Sequence, residues 1–71
     1  MIKRMLTNNI GNKLRMLRFM KNLTQKEVAD ALNMKVATIS RIENNIGDHR
    51  MTTIKKLVDF YGVTLEELIK S

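Results

Sequence analysis

From Ile10 onward the apolar positions recur every three or four residues, and no stretch alternates as a half-buried strand would. Ile10, Leu14 and Leu17 form the inward stripe of a first helix, which Thr7, Asn8 or Asn9 can cap and which runs to about Lys21 before Asn22 stops it. Residues 1–9 read as an N-terminal arm and residues 10–71 as the domain. Thr24 and Glu27 are spaced as a capping box, so a second helix begins at Gln25, with Val28, Ala29 and Leu32 inward. Asn33 stands where a tight turn needs a left-handed residue. A third helix from about Lys35 to Asn44 turns Ile39 and Ile42 inward, and Asn44-Asn45-Ile46-Gly47-Asp48 closes it with turn formers. Met51, Ile54, Leu57, Val58 and Tyr61 mark a fourth helix ended by Gly62. A second capping box, Thr64 with Glu67, opens a short fifth helix containing Leu65, Leu68 and Ile69. The expected class is all-α with five helices, and the absence of proline agrees with it.

The 71 residues have room for one small core. No apolar run approaches the ~20 residues of a membrane-spanning helix, and the N-terminus lacks the apolar centre of a secretory signal, so a cytoplasmic protein is expected. Without cysteine there are no disulfides or thiolate metal sites, and the single histidine, His49, reads as a loop residue. The chain has no nucleophile–base–carboxylate set, no phosphate-cradling glycine loop and no cluster of metal ligands. Neither an enzyme nor a cofactor or metal is therefore expected. The net charge of +6 is unevenly distributed: nine basic residues face two acidic ones through Arg41, and four face five beyond it. A polyanion is the natural partner of such a field.

At matching spacing, the elements Ile10-Gly11, Leu14, Leu17-Arg18, Leu23-Thr24-Gln25, Glu27-Val28-Ala29, Ile39-Ser40-Arg41-Ile42-Glu43 and Gly62-Val63-Thr64-Leu65-Glu66-Glu67-Leu68 cover nearly the whole chain. In these elements the sequence resembles the Cro/lambda-repressor-like helix-turn-helix family of the Xre type. It departs from that pattern at Asn33, where the turn usually has glycine, at Lys35, where a small hydroxyl residue commonly caps the third helix, and at His49, often proline. The resemblance implies a five-helix DNA-binding domain whose third helix enters the major groove. It also implies an ion pair between Arg18 and Glu43 that braces the first helix against the third.

With Ile39 and Ile42 inward, Lys35, Val36, Ala37, Ser40 and Arg41 are left on the outward face as candidate base readers. The guanidinium of Arg41 matches the O6 and N7 acceptors of guanine, with a phosphate contact as its other reading. Val36 and Ala37 fit thymine methyl groups or, alternatively, pack on the adjoining loop or helix. Gln25, by resemblance, leads the candidate phosphate contacts, followed by Thr38, Asn44 and Arg50. Lys13, Arg15 and Lys26 are expected to contribute mainly field.

A homodimer on a palindromic operator is expected, with Phe60, Leu65 and Ile69 as the interface, because helices four and five lie clear of DNA in the family. Met16, Phe19 and Met20 form a second apolar stripe on the first helix. Either the arm, with Met1, Ile2, Met5 and Leu6, folds over it, or it receives a second protein. The expected function is a sequence-specific transcriptional regulator of double-stranded DNA, chiefly a repressor. The alternative is an antitoxin-like interaction module whose DNA binding is autoregulatory.

Overall fold

The structure, a computed structural model, describes the backbone of residues 2–70 and the side chains of residues 10–69. Every regular element in it is a helix: α1 (Ile2–Met20), α2 (Gln25–Leu32), α3 (Val36–Glu43), α4 (Met51–Tyr61) and α5 (Leu65–Lys70). α1 packs against α3, α4 and α5, α2 packs against α3 and α4, and α4 against α5. Each helix contributes to one buried cluster: Leu14 from α1, Val28 and Ala29 from α2, Ile39 and Ile42 from α3, Ile54, Leu57, Val58 and Tyr61 from α4, and Leu68 from α5. Ile10, Leu17 and Leu32, expected inward, are half-buried at its edge. Met51 is the first residue of α4 and is exposed.

The turns follow from residue chemistry. Asn22, Asn33 and Asn45 have φ of 56°, 55° and 59°, and Gly62 has 76°. Asparagine and glycine reach this left-handed region at least cost. Asn33 closes α2 by donating its N–H to Ala29 and Asp30, and Met34 then donates to the Ala29 carbonyl, which sets α3 across α2. Both capping boxes form. The Thr24 and Thr64 hydroxyls accept from the Glu27 and Glu67 N–H groups at 3.0 Å, and each carboxylate accepts from its threonine's N–H at 2.8 Å.

The beginning of α1 departs from expectation. It starts at Ile2 and passes without interruption through Thr7, Asn8 and Asn9, which were expected to cap it. Neither proline nor glycine lies between Ile2 and Ile10, and an asparagine inside a helix costs well under ~1 kcal/mol relative to alanine. Continuing the ladder therefore outweighs the local capping preference. The arm's apolar side chains, Met1, Ile2, Met5 and Leu6, lie outside the described side chains. Met16, Phe19 and Met20 are 62%, 56% and 75% exposed.

Gly11 is where α1 meets the end of α3. Its N–H donates to Asn45 Oδ1 at 3.2 Å. A Cβ there would stand 2.5 Å from that oxygen and 2.6 Å from the Ile42 carbonyl oxygen. The amide can rotate away, but the carbonyl belongs to the helix backbone. Gly11→Ala should therefore destabilise the fold by about 1–3 kcal/mol from overpacking, although alanine in a free helix would gain up to ~1 kcal/mol. Urea unfolding checks this, and an unchanged or raised midpoint would contradict the close approach.

The Tyr61 hydroxyl is buried without a hydrogen-bond partner among the described residues. Burial pushes its phenol up to about 12, with the Glu43 charge adding to the effect and Arg18 opposing it. Below pH 10 the phenol is neutral in both states. Between pH 10 and about 12 the unfolded chain loses this proton first, so stability falls across that window. Tyr61→Phe should keep or raise the melting temperature at neutral pH, since it removes an unpaired buried hydroxyl, and should flatten the alkaline loss. A substantial drop at neutral pH would mean that the hydroxyl has a partner.

Candidate nucleic-acid interface

α2, the Asn33 turn and α3 form a helix-turn-helix whose second helix has one buried and one open face. Ile39, Ile42 and Glu43 are buried. Lys35, Val36, Ala37 and Arg41 are exposed, and Thr38 and Ser40 are half-buried between the two sets. All five expected base readers thus fall on the open face or its margin. Val36 is 41% exposed and Ala37 is also exposed. Lys35 is the N-cap of α3 and makes no side-chain capping bond, as its lack of a suitable acceptor dictates.

The orientation of this face depends on one carboxylate. Arg18 and Glu43 are 7% and 2% exposed and form a two-pronged pair, with Arg18 Nε donating to Oε2 at 2.7 Å and Nη2 to Oε1 at 3.0 Å. The third prong, Nη1, donates to the Leu23 carbonyl at 2.8 Å and so holds the chain just before α2. With every branch of its guanidinium engaged, Arg18 serves the fold. Its hydrogen bonds to Glu43 raise its pKa above the ordinary arginine value, against the opposing effect of burial. Its guanidinium carbon also lies 4.7 Å from the centre of the Phe19 ring.

Several polar residues have internal roles that the sequence did not reveal. Arg15, expected to supply mainly field, donates from Nη2 to the Glu43 carbonyl and to Asn44 Oδ1, both at 3.0 Å, at the end of α3. Asn44 Nδ2 donates to the Ser40 carbonyl at 2.9 Å, so for Asn44 the geometry favours closing the helix over holding a phosphate. Lys13 donates to the Leu68 carbonyl near the end of α5, and Lys26 pairs with Asp30 at 3.1 Å. Gln25 Nε2 donates to Glu43 Oε1 at 3.1 Å. Asn45 is the residue that most escaped sequence reading, because in Asn44-Asn45 nothing local tells which asparagine takes the left-handed turn.

The Arg41 side chain makes no hydrogen bond among the described residues, while its carbonyl accepts from the Ile46 N–H at 2.8 Å; its guanidinium passes over Gly47, where a Cβ would lie 3.4 Å from Nη2. Arg50 is the exposed N-cap of α4. Phe60 is half-buried and meets Tyr61 edge-on with ring centres 5.3 Å apart. Leu65 is half-buried against the core and Ile69 is 38% exposed. Among the described residues no three His, Cys, Asp or Glu side chains gather to hold a metal ion, and no helix is long and apolar enough to cross a membrane.

Comparison with known proteins agrees with this geometry. The family model described as helix-turn-helix matches residues 14–68, and the chain belongs to that family. It is 39% identical over 59 residues to the HTH-type transcriptional activator BcrR of Enterococcus faecalis, a match covering 83% of this chain and 29% of that protein. It is 34% identical over 59 residues to the cryptic phage CTXphi transcriptional repressor RstR of Vibrio cholerae, covering 83% of this chain and 53% of that one. The chain therefore matches about a third and about half of the length of these two relatives. No solved structure matches it significantly.

Removing Glu43 would leave the Arg18 charge buried and unpaired. Glu43→Ala should therefore cost about 3–5 kcal/mol, a large share of the ~5–15 kcal/mol that holds a domain folded. Thermal unfolding followed by circular dichroism checks this, and an unchanged melting temperature would refute the bracing role.

Proposed function

We propose that this helix-turn-helix protein is a sequence-specific regulator of transcription that binds double-stranded DNA, acts as a repressor by occupying an operator, and inserts α3 into the major groove. The observation that carries the reading is the open face of α3. A helix meant only for solvent gains nothing from exposed Val36 and Ala37, whereas thymine methyl groups give them a partner. Arg41, beside them and unpaired, offers a fork for guanine. Lys35 and Ser40 complete the reading surface, with Gln25, Thr38 and Arg50 as contacts to phosphate. The family supports DNA as the ligand. One relative is named an activator and the other a repressor, and occupying an operator requires only the DNA-binding face itself.

One such domain reads few base pairs, so the protein acts as a homodimer on an inverted repeat, with Phe60, Leu65 and Ile69 in the interface. A second reading, a module that also binds another protein, is favoured by one specific observation. Met16, Phe19 and Met20 stay exposed on α1, and Met16 lines a groove of about 220 Å³ together with Leu17, Val63, Leu68, Lys13 and Glu67.

Selection of duplexes from a random library, with wild type and Arg41→Ala in parallel, tests the proposal. The wild type should enrich an inverted repeat, and Arg41→Ala should lose discrimination at one base pair per half-site, by about 1–3 kcal/mol. Affinity should fall steeply with salt as counterions are released. No enriched motif would overturn the DNA reading and move the weight to the partner-binding one.

A further inference from the structure

Glu43 holds more than Arg18. Its Oε1, which already accepts from Arg18, also accepts from Gln25 Nε2 at 3.1 Å. Gln25 is the first residue of α2 and is half-buried, so its amide lies between the buried carboxylate and the surface. A glutamine amide can present either end. Turned the other way, its oxygen would face a carboxylate oxygen, two acceptors with no hydrogen between them. The buried charge therefore selects the nitrogen-inward orientation. Of the two hydrogens on that nitrogen, one is taken by Glu43 and the second remains free to be donated.

We propose that Glu43 is a positioning residue for DNA binding: it fixes the orientation of the Gln25 amide so that Gln25 meets a backbone phosphate with an N–H donor already aimed. This inference rests on the DNA-binding reading above. The same carboxylate that braces α1 against α3 thus sets the chemistry of the surface at the start of α2. Arg18 completes the arrangement by holding the Leu23 carbonyl, two residues before Gln25, at 2.8 Å. A side chain held in its binding orientation loses less freedom on association, an advantage on the order of three- to tenfold in affinity.

Removing Glu43 alone would confuse positioning with stability, so the test removes both charges together. Arg18→Met with Glu43→Leu strands neither partner, and such replacements are often neutral or stabilising. Binding is measured to the duplex selected by the wild type, with each phosphate in turn replaced by an uncharged methylphosphonate. Wild type should lose affinity at the phosphate that Gln25 contacts. Gln25→Ala should bind the unmodified duplex three- to tenfold more weakly and become insensitive at that phosphate. The double variant, folded by circular dichroism, should lose part of that affinity and show reduced sensitivity at that phosphate, because it retains Gln25 without its orientation.

A folded double variant that binds like wild type, with sensitivity at that phosphate intact, would overturn the proposal. A measurement on the wild type keeps it testable if that variant does not fold. By nuclear magnetic resonance, one Gln25 side-chain amide proton should be protected from exchange and remain so when the duplex is added. Loss of that protection on adding DNA would overturn the proposal. A wild type that enriches no duplex at all overturns the DNA reading itself, a result that requires neither Gln25→Ala nor the double variant.

Discussion

The buried contact between Arg18 and Glu43 is the constraint around which the other parts are arranged. Two charges removed from water are tolerable only where each is paired and hydrogen-bonded, and here the guanidinium fills three positions with two partners. Those partners lie on α3 and on the segment entering α2, while Arg18 itself is on α1. One residue therefore fixes three pieces of chain at once. Arg15 and Asn44 extend the same joint to the last turn of α3, and Gly11 lets the two backbones come close enough for it to form.

Much of the fold could be read in the sequence, because its signals were local and strong. Each capping box joins residues three apart, and the left-handed turn at Asn33 and the glycine stop at Gly62 need only their own backbone geometry. The start of α1 was misread for the converse reason. Thr7, Asn8 and Asn9 cap a helix only if it begins there, and nothing upstream of them breaks the ladder. A capping preference of that size does not end a helix that can continue.

The candidate interface was legible in its outline and not in its wiring. Periodicity alone assigns Val36, Ala37 and Arg41 to the outward face of α3, and the structure leaves them exposed. Arg15 to Asn44, Lys13 to Leu68 and Gln25 to Glu43 join residues 29, 55 and 18 positions apart, so they depend on how the helices cross. No local pattern encodes them. Arg18 and Glu43 became readable as a pair only through resemblance to a family.

The division of α3 into a buried edge and an open edge also bears on how such a chain can change over time. Ile39, Ile42 and Glu43 are tied to the rest of the molecule, whereas Val36, Ala37 and Arg41 are exposed and make no hydrogen bond to other described residues through their side chains. Substitutions on the open edge leave the core untouched, as surface changes usually do. On the proposed DNA-reading role of this edge, a lineage can therefore drift to a new target sequence through a few replacements there without passing through unfolded intermediates, and the same three positions are the natural ones to randomise in a designed library.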